Sequence, residues 1–383
     1  MRIGVFAERF PKLSETFITA QVSYFARQGH DVTVVCKYHD AVRLDPATVS
    51  DLAKVKVLTY CGAPETGLLS YLPWRVRQRI GVWRTRRFFQ RLPKMDVHLA
   101  HFGWMGAFVV ANSKNEPTAP PLVTIYHGRD VSHERVENGL SIYHDLFRHG
   151  ALHLTVNAPF ADDLIAAGAP KNRVTVHHLG IPVHHHAFEP ALPKTPLRLV
   201  TVCRLVEKKG VATILSALAD LSKRRPDIEW AMDIGGDGPL RGSLEAQADA
   251  TLAKGMVRFL GPQNHAEALQ LMAQADAFLL PSVTAADGDQ EGIPVVLFEA
   301  MALGTPVFTT RHSGIPELVE HEVTGFLSDE HDAADLSRQI EALADGTVDL
   351  PAITQAARKK VERDFNEDRQ NTALLEMLGG LVT

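Results

Sequence analysis

A buried strand, a loop, a helix and a second buried strand follow one another at the start of the chain, and this pattern constrains the fold more than any other feature. The apolar runs "IGVFA" (3–7) and "DVTVVC" (31–36) flank a helical stretch at 14–29. Ser14 is suited to cap that helix, and Glu15 would interact favourably with the helix dipole. Parallel strands joined in this way form a right-handed βαβ unit. The pattern therefore predicts an α/β fold.

The same pattern continues through the rest of the chain. Further apolar runs predict strands at 97–102, 121–126, 151–156, 173–180, 197–203, 228–236, 257–261, 277–282 and 306–310. Short strands that are apolar on both faces are typical of parallel sheets covered by helices. We predict two doubly wound Rossmann-like domains that face each other across a cleft, where the carboxyl ends of both sheets reach a shared ligand.

A proline-rich segment separates the two halves. The chain has 383 residues, enough for two domains with cores of their own. The segment "HHHAFEPALPKTP" (184–196) interrupts the apolar periodicity, and a new strand follows it. The predicted domains are therefore 1–188 and 189–365, and a helix at 366–383 is predicted to pack back on the N-terminal domain.

Composition excludes several classes of protein. The net charge is −5, and 45% of residues are hydrophobic, which is typical of a globular protein and gives no indication of nucleic-acid binding. Cys36, Cys61 and Cys203 are far apart, which favours a reducing compartment over a disulfide framework. The short apolar start resembles no signal peptide, and no apolar run is long enough to span a membrane. A cytoplasmic location is expected.

One segment departs from this mild charge. Residues 74–94 contain seven arginines and Lys94, no acidic residue, and interleaved tryptophan and phenylalanine. Such a segment in a helical context can lie on an anionic membrane surface. We predict peripheral association with the inner face of the cell membrane. The alternatives are a solvated helix face and a groove for an acidic polymer.

Two loops in the second half combine charge or glycine with a strand end. In "VCRLVEKKG", Arg204 and Lys209 follow a strand, where fixed cations can hold a pyrophosphate. The alternative is a solvated basic turn. In "DIGGDGPLR", Gly235 and Gly236 would let the backbone approach a nucleotide, although a tight turn needs glycine in any case.

The segment "EGIPVVLFEAMALGTPV" (291–307) carries two glutamates around an apolar run. A helix that starts near Gly292 would offer the N–H groups of 292–295 to an anion. If helical geometry held from Glu291 to Glu299, their carboxylates would lie about 12 Å apart, which suits two ends of one extended ligand. A hexose at one end and a ribose at the other would explain both charges. The alternative, that Glu299 is an exposed helix residue, fits poorly with its apolar neighbours.

Histidines at strand ends are further candidates. His127 and Asp130 follow one predicted strand in "YHGRD", and His101 follows another in "AHFG", although most single histidines in such places are structural. His184–His186 invites a zinc interpretation, but the run lies in the predicted linker without matching ligands. The acidic triplet at 287–289 is typical of a solvated loop. We therefore predict no metal site.

Several motifs of the second half occur in a characteristic order and spacing: "RLVEKKG", "GGDGPLR", "FLG", "PS", the two glutamates with seven residues between them, and "GIPELVEHEVTGFL" (314–327). With them, the chain resembles the GT-B glycosyltransferases of family 4 over nearly its whole length. "FPKLSETFI" and "DGDQEGIP" further resemble a subgroup tied to exopolysaccharides of the colanic-acid and amylovoran type. The resemblance implies a retaining enzyme with an N-terminal acceptor-binding domain and a C-terminal nucleotide-sugar-binding domain.

The resemblance also implies roles for individual residues. The implied catalytic residues are His127, Arg204, Lys209 and Glu291. The implied donor-binding residues are Gly235, Gly236, Gly261, Gly292, Ile293, Pro294, Val295 and Glu299. The implied acceptor-binding residues are Ser14, Glu15, His101 and Asp130. Family members need no metal or other cofactor, and the glycine-rich turn that many have after the first strand is replaced here by "AERFPKLSET".

The expected function is transfer of a hexose from a UDP- or GDP-linked donor to a lipid-linked glycan acceptor in exopolysaccharide synthesis. The sequence leaves two alternatives to this function open. A nucleotide-sugar epimerase or hydrolase could share the fold, and a non-catalytic glycan-binding subunit could share the architecture.

Overall fold

The computed structural model describes residues 1–12, 15–42, 44–60, 71–113, 118–190 and 192–382. These residues divide into two compact units, which we call unit 1 and unit 2. Unit 1 contains Met1–His177 and the C-terminal segment from Gln370, and unit 2 contains His178–Arg369. The sequence predicts the first boundary after residue 188. The observed division comes earlier because Ile181 and Val183 pack in the core of unit 2.

The elements alternate along the chain. The strands are β1 (Arg2–Phe10), β2 (Asp31–His39), β3 (Lys56–Thr59), β4 (Val97–His101), β5 (Leu122–Tyr126), β6 (Leu152–Thr155), β7 (Val174–Val176), β8 (Leu197–Val202), β9 (Trp230–Gly235), β10 (Val257–Gly261), β11 (Ala277–Leu280), β12 (Val307–Thr310) and β13 (Phe326–Ser328). The helices are α1 (Thr16–Arg27), α2 (Pro46–Leu52), α3 (Trp74–Phe89), α4 (Gly103–Ser113), α5 (Arg129–Asn138), α6 (His144–His149), α7 (Ala158–Ala166), α8 (Val211–Arg224), α9 (Arg241–Thr251), α10 (His265–Ala273), α11 (Val295–Leu303), α12 (Ile315–Leu318), α13 (Ala333–Ala344), α14 (Leu350–Asp364) and α15 (Glu367–Gly380).

Unit 1 is built on a parallel sheet with the strand order β3-β2-β1-β4-β5-β6-β7. β1 lies between β2 and β4, and Val5 is in register with Val34 on one side and Leu99 on the other. The residues Ile3–Ala7 are all buried, as expected for a strand covered by helices on both faces. The strand order reverses between β1 and β4, so the carboxyl ends of these two strands flank the predicted ligand position of this unit.

Unit 2 repeats the design with the order β10-β9-β8-β11-β12-β13. All of its paired strands are parallel, and this order is that of the doubly wound Rossmann fold. The reversal falls between β8 and β11. The prediction of two Rossmann-like α/β units is confirmed.

Alternate side chains along the strands of unit 2 pack in two separate hydrophobic cores. Leu199 and Leu279 pack with α8, whereas Val200 and Phe278 pack with α11, since successive side chains of a strand point to opposite faces. α8 is amphipathic, but α11 is buried over most of its surface. The apolar run of α11 is therefore explained by burial in the core.

Two short strands have no sequence pattern that predicts them, whereas the C-terminal helix lies where the sequence predicts one. β3 and β13 have only four and three residues and were not predicted. The C-terminal region forms two helices, α14 and α15, and α15 passes from unit 2 into unit 1 at Gln370. No helix within the described residues is both long enough and apolar enough to cross a bilayer.

Candidate functional site

The loop after β8 in unit 2 forms one 3₁₀ turn, Glu207–Lys209. Gly210 then starts α8 with a φ of 64°, a left-handed conformation that favours glycine. A Cβ atom at this position would lie 1.7 Å from the carbonyl oxygen of Pro281, which follows β11. The close contact brings Lys208 and Lys209 beside the end of β11. Both lysines therefore lie where the strand order of unit 2 reverses.

A compact cluster of charges occupies this place. Lys208 Nζ lies 2.9 Å from Asp289 Oδ2 and 3.4 Å from Glu291 Oε1, and Lys209 Nζ lies 3.1 Å from the same Glu291 oxygen. All four side chains are largely buried. The sequence predicts Lys209 and Glu291 as site residues, but it gives no role to Lys208 or Asp289. We call these four residues the lysine–carboxylate cluster.

Electrostatics keep this cluster ionised. Burial would raise the pKa of Glu291, but the charges of Lys209 and Lys208 outweigh it and hold that pKa below its ordinary value. Burial would lower the pKa of Lys208, but Glu291 and Asp289 raise it overall. Each ammonium has three N–H donors. The cluster can therefore keep its internal pairs and still bind an anionic oxygen.

The loop before α11 is held by this turn. The N–H of Val283 donates to the carbonyl of Lys208 at 3.0 Å, and the N–H of Ala286 donates to Glu207 Oε2 at 3.1 Å. α11 begins only at Val295, with Pro294 in an extended conformation before it. The predicted helix start near 292 is therefore too early. Glu291 precedes the helix, so the 12 Å estimate for the two carboxylates does not apply.

Glu299 lies on α11 and is only 7% exposed, so it is not an ordinary surface residue. Its Oε1 lies 2.8 Å from His265 Nε2. The hydrogen bond to this carboxylate raises the pKa of His265. His265 is the first residue of α10, directly after the Asn264 capping box. No local pattern identifies His265 as a site residue, since its partner is 34 residues away in the chain.

The predicted donor-binding glycines make close backbone contacts. A Cβ on Gly236 would lie 1.9 Å from the carbonyl oxygen of Cys203, and the N–H of Gly236 donates to the carbonyl of Gly261 at 2.7 Å. A Cβ on Gly235 would meet Gln263 at 3.0 Å. These glycines allow the ends of β8, β9 and β10 to pack together. Arg204 lies beside them with an exposed side chain.

In unit 1, Asp130 organises the ends of β4 and β5. Its carboxylate accepts N–H groups from Gly103 at 2.8 Å, His127 at 3.0 Å and Gly128 at 2.8 Å. Burial raises its pKa to about 6, although these three donors act to lower it. The sequence predicts a contact between Asp130 and an acceptor hydroxyl. In the structure, Asp130 is fully buried and its oxygens accept hydrogen bonds from backbone N–H groups. Asp130 therefore supports His127.

His127 lies in an aromatic cluster. Its ring centroid is 4.5 Å from Phe17 and 4.7 Å from Phe102, and its Nε2 lies 3.2 Å from His101 Nδ1. His101 has no exposed surface in this structure, and its predicted contact with an acceptor stays a prediction. Burial lowers the pKa of His101 to about 3 and that of His127 well below its ordinary value. The pair is therefore neutral near pH 7, and one ring donates to the other.

The remaining acceptor residues are less informative. Glu15 occupies the N-cap position of α1, where its side chain makes no capping bond, and it pairs with Lys12. Ser14, predicted to cap this helix, lies outside the described residues. In the run at 184–186, the exposed rings of His184 and His185 have centroids 4.2 Å apart, whereas His186 is buried and contacts the carbonyl of Pro182.

One cluster among the described residues brings three possible metal ligands together: His133, Glu134 and Glu137 on α5. Glu134 already accepts a hydrogen bond from Asn138, and Glu137 is exposed. A group of this kind on a helix surface is common without an ion.

Comparisons with known proteins agree with this architecture. Residues 14–180 match the family described as "Glycosyl transferase 4-like domain", and residues 184–360 match "Glycosyl transferases group 1". The chain is similar over its full length to the putative colanic acid biosynthesis glycosyltransferase WcaL of Escherichia coli K12, with 31% identity and complete coverage of both chains. It is 34% identical to the amylovoran biosynthesis glycosyltransferase AmsK of Erwinia amylovora, over 99% of this chain and 100% of that one.

A solved structure shows the same fold. The crystal structure of Anabaena Alr3699/HepE in complex with UDP-glucose superposes with a TM-score of 0.74 at 20% identity, covering 99% of this chain and 100% of that one. Two Rossmann-like units in one chain, with these neighbours, define a GT-B glycosyltransferase. The full-length relatives place it more narrowly: the chain belongs to glycosyltransferase family 4.

Proposed function

We propose that this enzyme is a retaining glycosyltransferase that moves a hexose from a UDP- or GDP-linked donor to a lipid-linked glycan during exopolysaccharide synthesis. The lysine–carboxylate cluster at the strand reversal of unit 2 carries the proposal, because it supplies fixed cations for a diphosphate. The names of the two full-length relatives support an exopolysaccharide product. The HepE complex with UDP-glucose supports a nucleotide sugar as the donor.

Unit 2 binds the donor in this proposal. Lys209 and Arg204 bind the diphosphate, and the N-terminus of α11, which no side chain caps, adds the positive end of a helix dipole. Glu291 accepts hydroxyl hydrogens of the sugar. Its Oε1 lies 3.1 Å from Lys209 Nζ and 3.4 Å from Lys208 Nζ, and the carboxylate has lone pairs left for hydroxyl hydrogens. Glu299 binds the ribose hydroxyls.

The donor site is completed by backbone that can approach the nucleotide sugar closely, at Gly235, Gly236, Gly261 and Gly292–Val295. Unit 1 binds the acceptor, and the neutral imidazole of His127 contacts the donor sugar near its reacting carbon. A neutral ring suits this position because it can donate or accept a hydrogen bond without opposing the charge that develops on the sugar.

The reaction proceeds by attack on the face from which the diphosphate leaves. The bond between the anomeric carbon and the phosphate oxygen breaks, and a bond to the acceptor oxygen forms on the same side. The acceptor hydroxyl proton passes to the departing phosphate, so the products are the glycoside and the protonated nucleoside diphosphate. Lys209, Arg204 and the helix N-terminus stabilise the charge of the leaving group, which is the main electrostatic demand of the step. No metal takes part.

Product analysis tests the reaction class. The enzyme is incubated with UDP-hexose or GDP-hexose and EDTA, first without and then with a lipid-linked oligosaccharide acceptor. We expect the donor to stay intact until the acceptor is added, after which one hexose is transferred with its anomeric configuration kept. Epimerisation or rapid hydrolysis of the donor alone would contradict the proposal, and so would inversion of the configuration. Calorimetric titration with UDP and GDP identifies the base.

α3 supports peripheral binding to an anionic membrane. Val76 and Trp83 are seven residues apart and so share one helix face, on which Trp83 is 59% exposed. Arg79, Arg86 and Arg87 are exposed around them, and the Arg87 guanidinium lies 5.4 Å from the Trp83 ring centroid. Apolar and aromatic groups surrounded by arginines suit the lipid headgroup region better than bulk water.

Vesicle co-sedimentation tests this surface. Replacing Arg79, Arg86 and Arg87 with glutamate should abolish pelleting with phosphatidylglycerol vesicles, and neutral phosphatidylcholine vesicles should bind neither protein. The matched control replaces three exposed lysines of unit 2 with glutamate, which changes the net charge equally; these are Lys223, Lys254 and Lys359. Equal loss of binding in both variants would show that only total charge matters.

A further inference from the structure

The loop from Thr284 to Glu291 is anchored at both ends by residues that come later in the chain. Glu330 follows β13, and its Oε2 accepts the N–H of Thr284 at 2.7 Å while its Oε1 lies 3.3 Å from the Thr284 hydroxyl. The same Oε1 lies 2.6 Å from His312 Nδ1. His312 Nε2 in turn accepts the N–H of Glu291 at 3.1 Å. Glu330 therefore fixes Thr284 directly and Glu291 through His312.

These contacts specify the tautomer of His312. Nε2 accepts a hydrogen bond from a backbone N–H, which cannot act as an acceptor, so Nε2 carries no proton. The neutral ring then carries its proton on Nδ1 and donates it to Glu330. The side chain of His312 has no exposed surface. A ring held at both nitrogens and enclosed on all sides can support the Glu291 backbone in one orientation only.

We propose that Glu330 and His312 are positioning residues for glycosyl transfer: through one fixed tautomer they hold the backbone of Glu291, so that its carboxylate meets Lys208 and Lys209. This inference rests on the donor-binding role proposed above for Glu291. Among the described residues, neither side chain contacts a charged group of the cluster. His312 accepts the main-chain N–H of Glu291, and Glu330 acts on that bond through His312.

The carboxylate of Glu330 is needed because two N–H groups converge on it. The backbone of Thr284 and Nδ1 of His312 both donate to this side chain. A carboxamide has one oxygen and one NH₂ group, so Glu330→Gln must place an N–H against an N–H or force His312 into the other tautomer. In that tautomer Nε2 carries a proton and faces the N–H of Glu291. The switch of tautomer removes the proposed support of Glu291, and the other arrangement opposes the N–H of Thr284 at the far end of the loop; neither changes side-chain volume.

Asp329→Asn is the matched control, because it makes the same chemical change one residue away in a side chain that is 77% exposed. We expect Glu330→Gln to lower kcat/KM for the donor by about 10- to 100-fold, a loss typical of small displacements of a catalytic group. Its far-UV spectrum should match that of the control, which shows that the variant is folded. Asp329→Asn should behave as the wild type.

Selective ¹⁵N-histidine NMR reports which ring nitrogen of His312 carries the proton. A purely structural role of Glu330 would not change this protonation. The wild-type protein should show His312 protonated at Nδ1, with its signals assigned from their absence in His312→Gln, and Glu330→Gln should change that state. His312→Gln should keep more activity than His312→Ala, because its side-chain oxygen can accept the N–H of Glu291.

Three results would overturn the inference. These are wild-type kcat/KM in Glu330→Gln, an activity loss with an unchanged His312 tautomer, or equal losses in Glu330→Gln and the control. Failure of the proposed function looks different. In that case the wild-type protein itself would transfer no sugar, whatever the state of His312.

Discussion

At the scale of single residues, the two adjacent lysines have different surroundings. Among the described residues, Lys208 pairs with both Asp289 and Glu291, whereas Lys209 pairs with Glu291 alone. Lys208 therefore neutralises charge on both carboxylates of the cluster. Lys209 has more N–H groups left to donate to a ligand. In the proposed function, these neighbouring residues of one 3₁₀ turn therefore have different roles, structural for Lys208 and ligand-binding for Lys209.

Replacing each lysine with methionine should separate these roles. We expect Lys209→Met to lower kcat by about 10²- to 10³-fold, as for loss of one fixed donor to a leaving-group charge. Lys208→Met should lower the free energy of unfolding by about 1–3 kcal/mol, because two largely buried carboxylates lose a partner. Steady-state kinetics and urea unfolding measure the two effects, and Lys223→Met, on the surface of α8, is the control. Equal kinetic losses in both cluster variants would contradict the division.

The pair of His265 and Glu299 should make stability depend on pH. The pKa of His265 is raised above its ordinary 6.5 by its hydrogen bond to Glu299. Its contribution to stability is therefore complete below that value and is lost as the pH rises through the folded-state pKa. His265→Ala should lower the thermal unfolding midpoint more at about pH 5.5 than at about pH 9. His144→Ala, at an exposed histidine of unit 1, should show no such difference.

At the scale of elements, the turn between β8 and α8 depends on Gly210. Gly210 and Gly346 have nearly equal φ values, 64° and 65°, but a Cβ on Gly210 would lie 1.7 Å from Pro281 whereas Gly346 has open space. The two positions separate the cost of backbone conformation from the cost of a steric clash. The clash would push the lysine turn away from the end of β11.

Alanine at these two glycines should therefore have unequal effects. Gly346→Ala should cost about 1–2 kcal/mol, the penalty of the left-handed conformation alone. Gly210→Ala should cost about 4 kcal/mol or more and should reduce donor turnover, since the backbone must move. Urea unfolding and kinetics measure both variants. Similar stability losses would show that the contact with Pro281 relaxes at little cost.

At the scale of elements, the sequence predicts features that depend on local burial, and it misses contacts between distant segments. Apolar runs and helix periodicity were enough for the α/β class, because they reflect local burial. The motif around Lys209 and Glu291 selected two residues that the structure brings together. Lys208 and Asp289, or His312 and Glu330, could not be paired in this way, because their contacts depend on strand order and loop path. The burial of Asp130 could not be predicted either, because burial at a strand end leaves no local pattern.

At the scale of the whole molecule, α15 links the two units. The helix starts with Glu367, whose N–H donates to the carbonyl of Ile181 in unit 2, and from Gln370 onward it belongs to unit 1. Leu374 and Leu378 are fully buried, and the hydroxyl of Thr372 lies 2.7 Å from that of Tyr24. Unit 1 is therefore completed by a segment distant in sequence from the rest of it.

Truncating one of these leucines should destabilise unit 1. Leu374→Ala should lower its stability by about 2–5 kcal/mol, because a fully buried side chain leaves a cavity. Glu376→Ala, at an exposed position on the same helix, should change stability by less than about 0.5 kcal/mol. Hydrogen exchange resolved to peptides of unit 1 measures the effect. Protection lost equally in both variants would contradict it.

The arrangement of α15 also has a consequence for biosynthesis. A ribosome that has finished residue 177 must add roughly 190 more before Gln370 appears, which takes about 10 to 40 s at ordinary rates of translation. During that interval the nascent unit 1 lacks Leu374 and Leu378, and the surface they cover stays exposed to water. The whole of unit 2 emerges while that surface is still open. A chaperone that binds apolar segments therefore has a long opportunity at unit 1, because its two segments are synthesised so far apart in time.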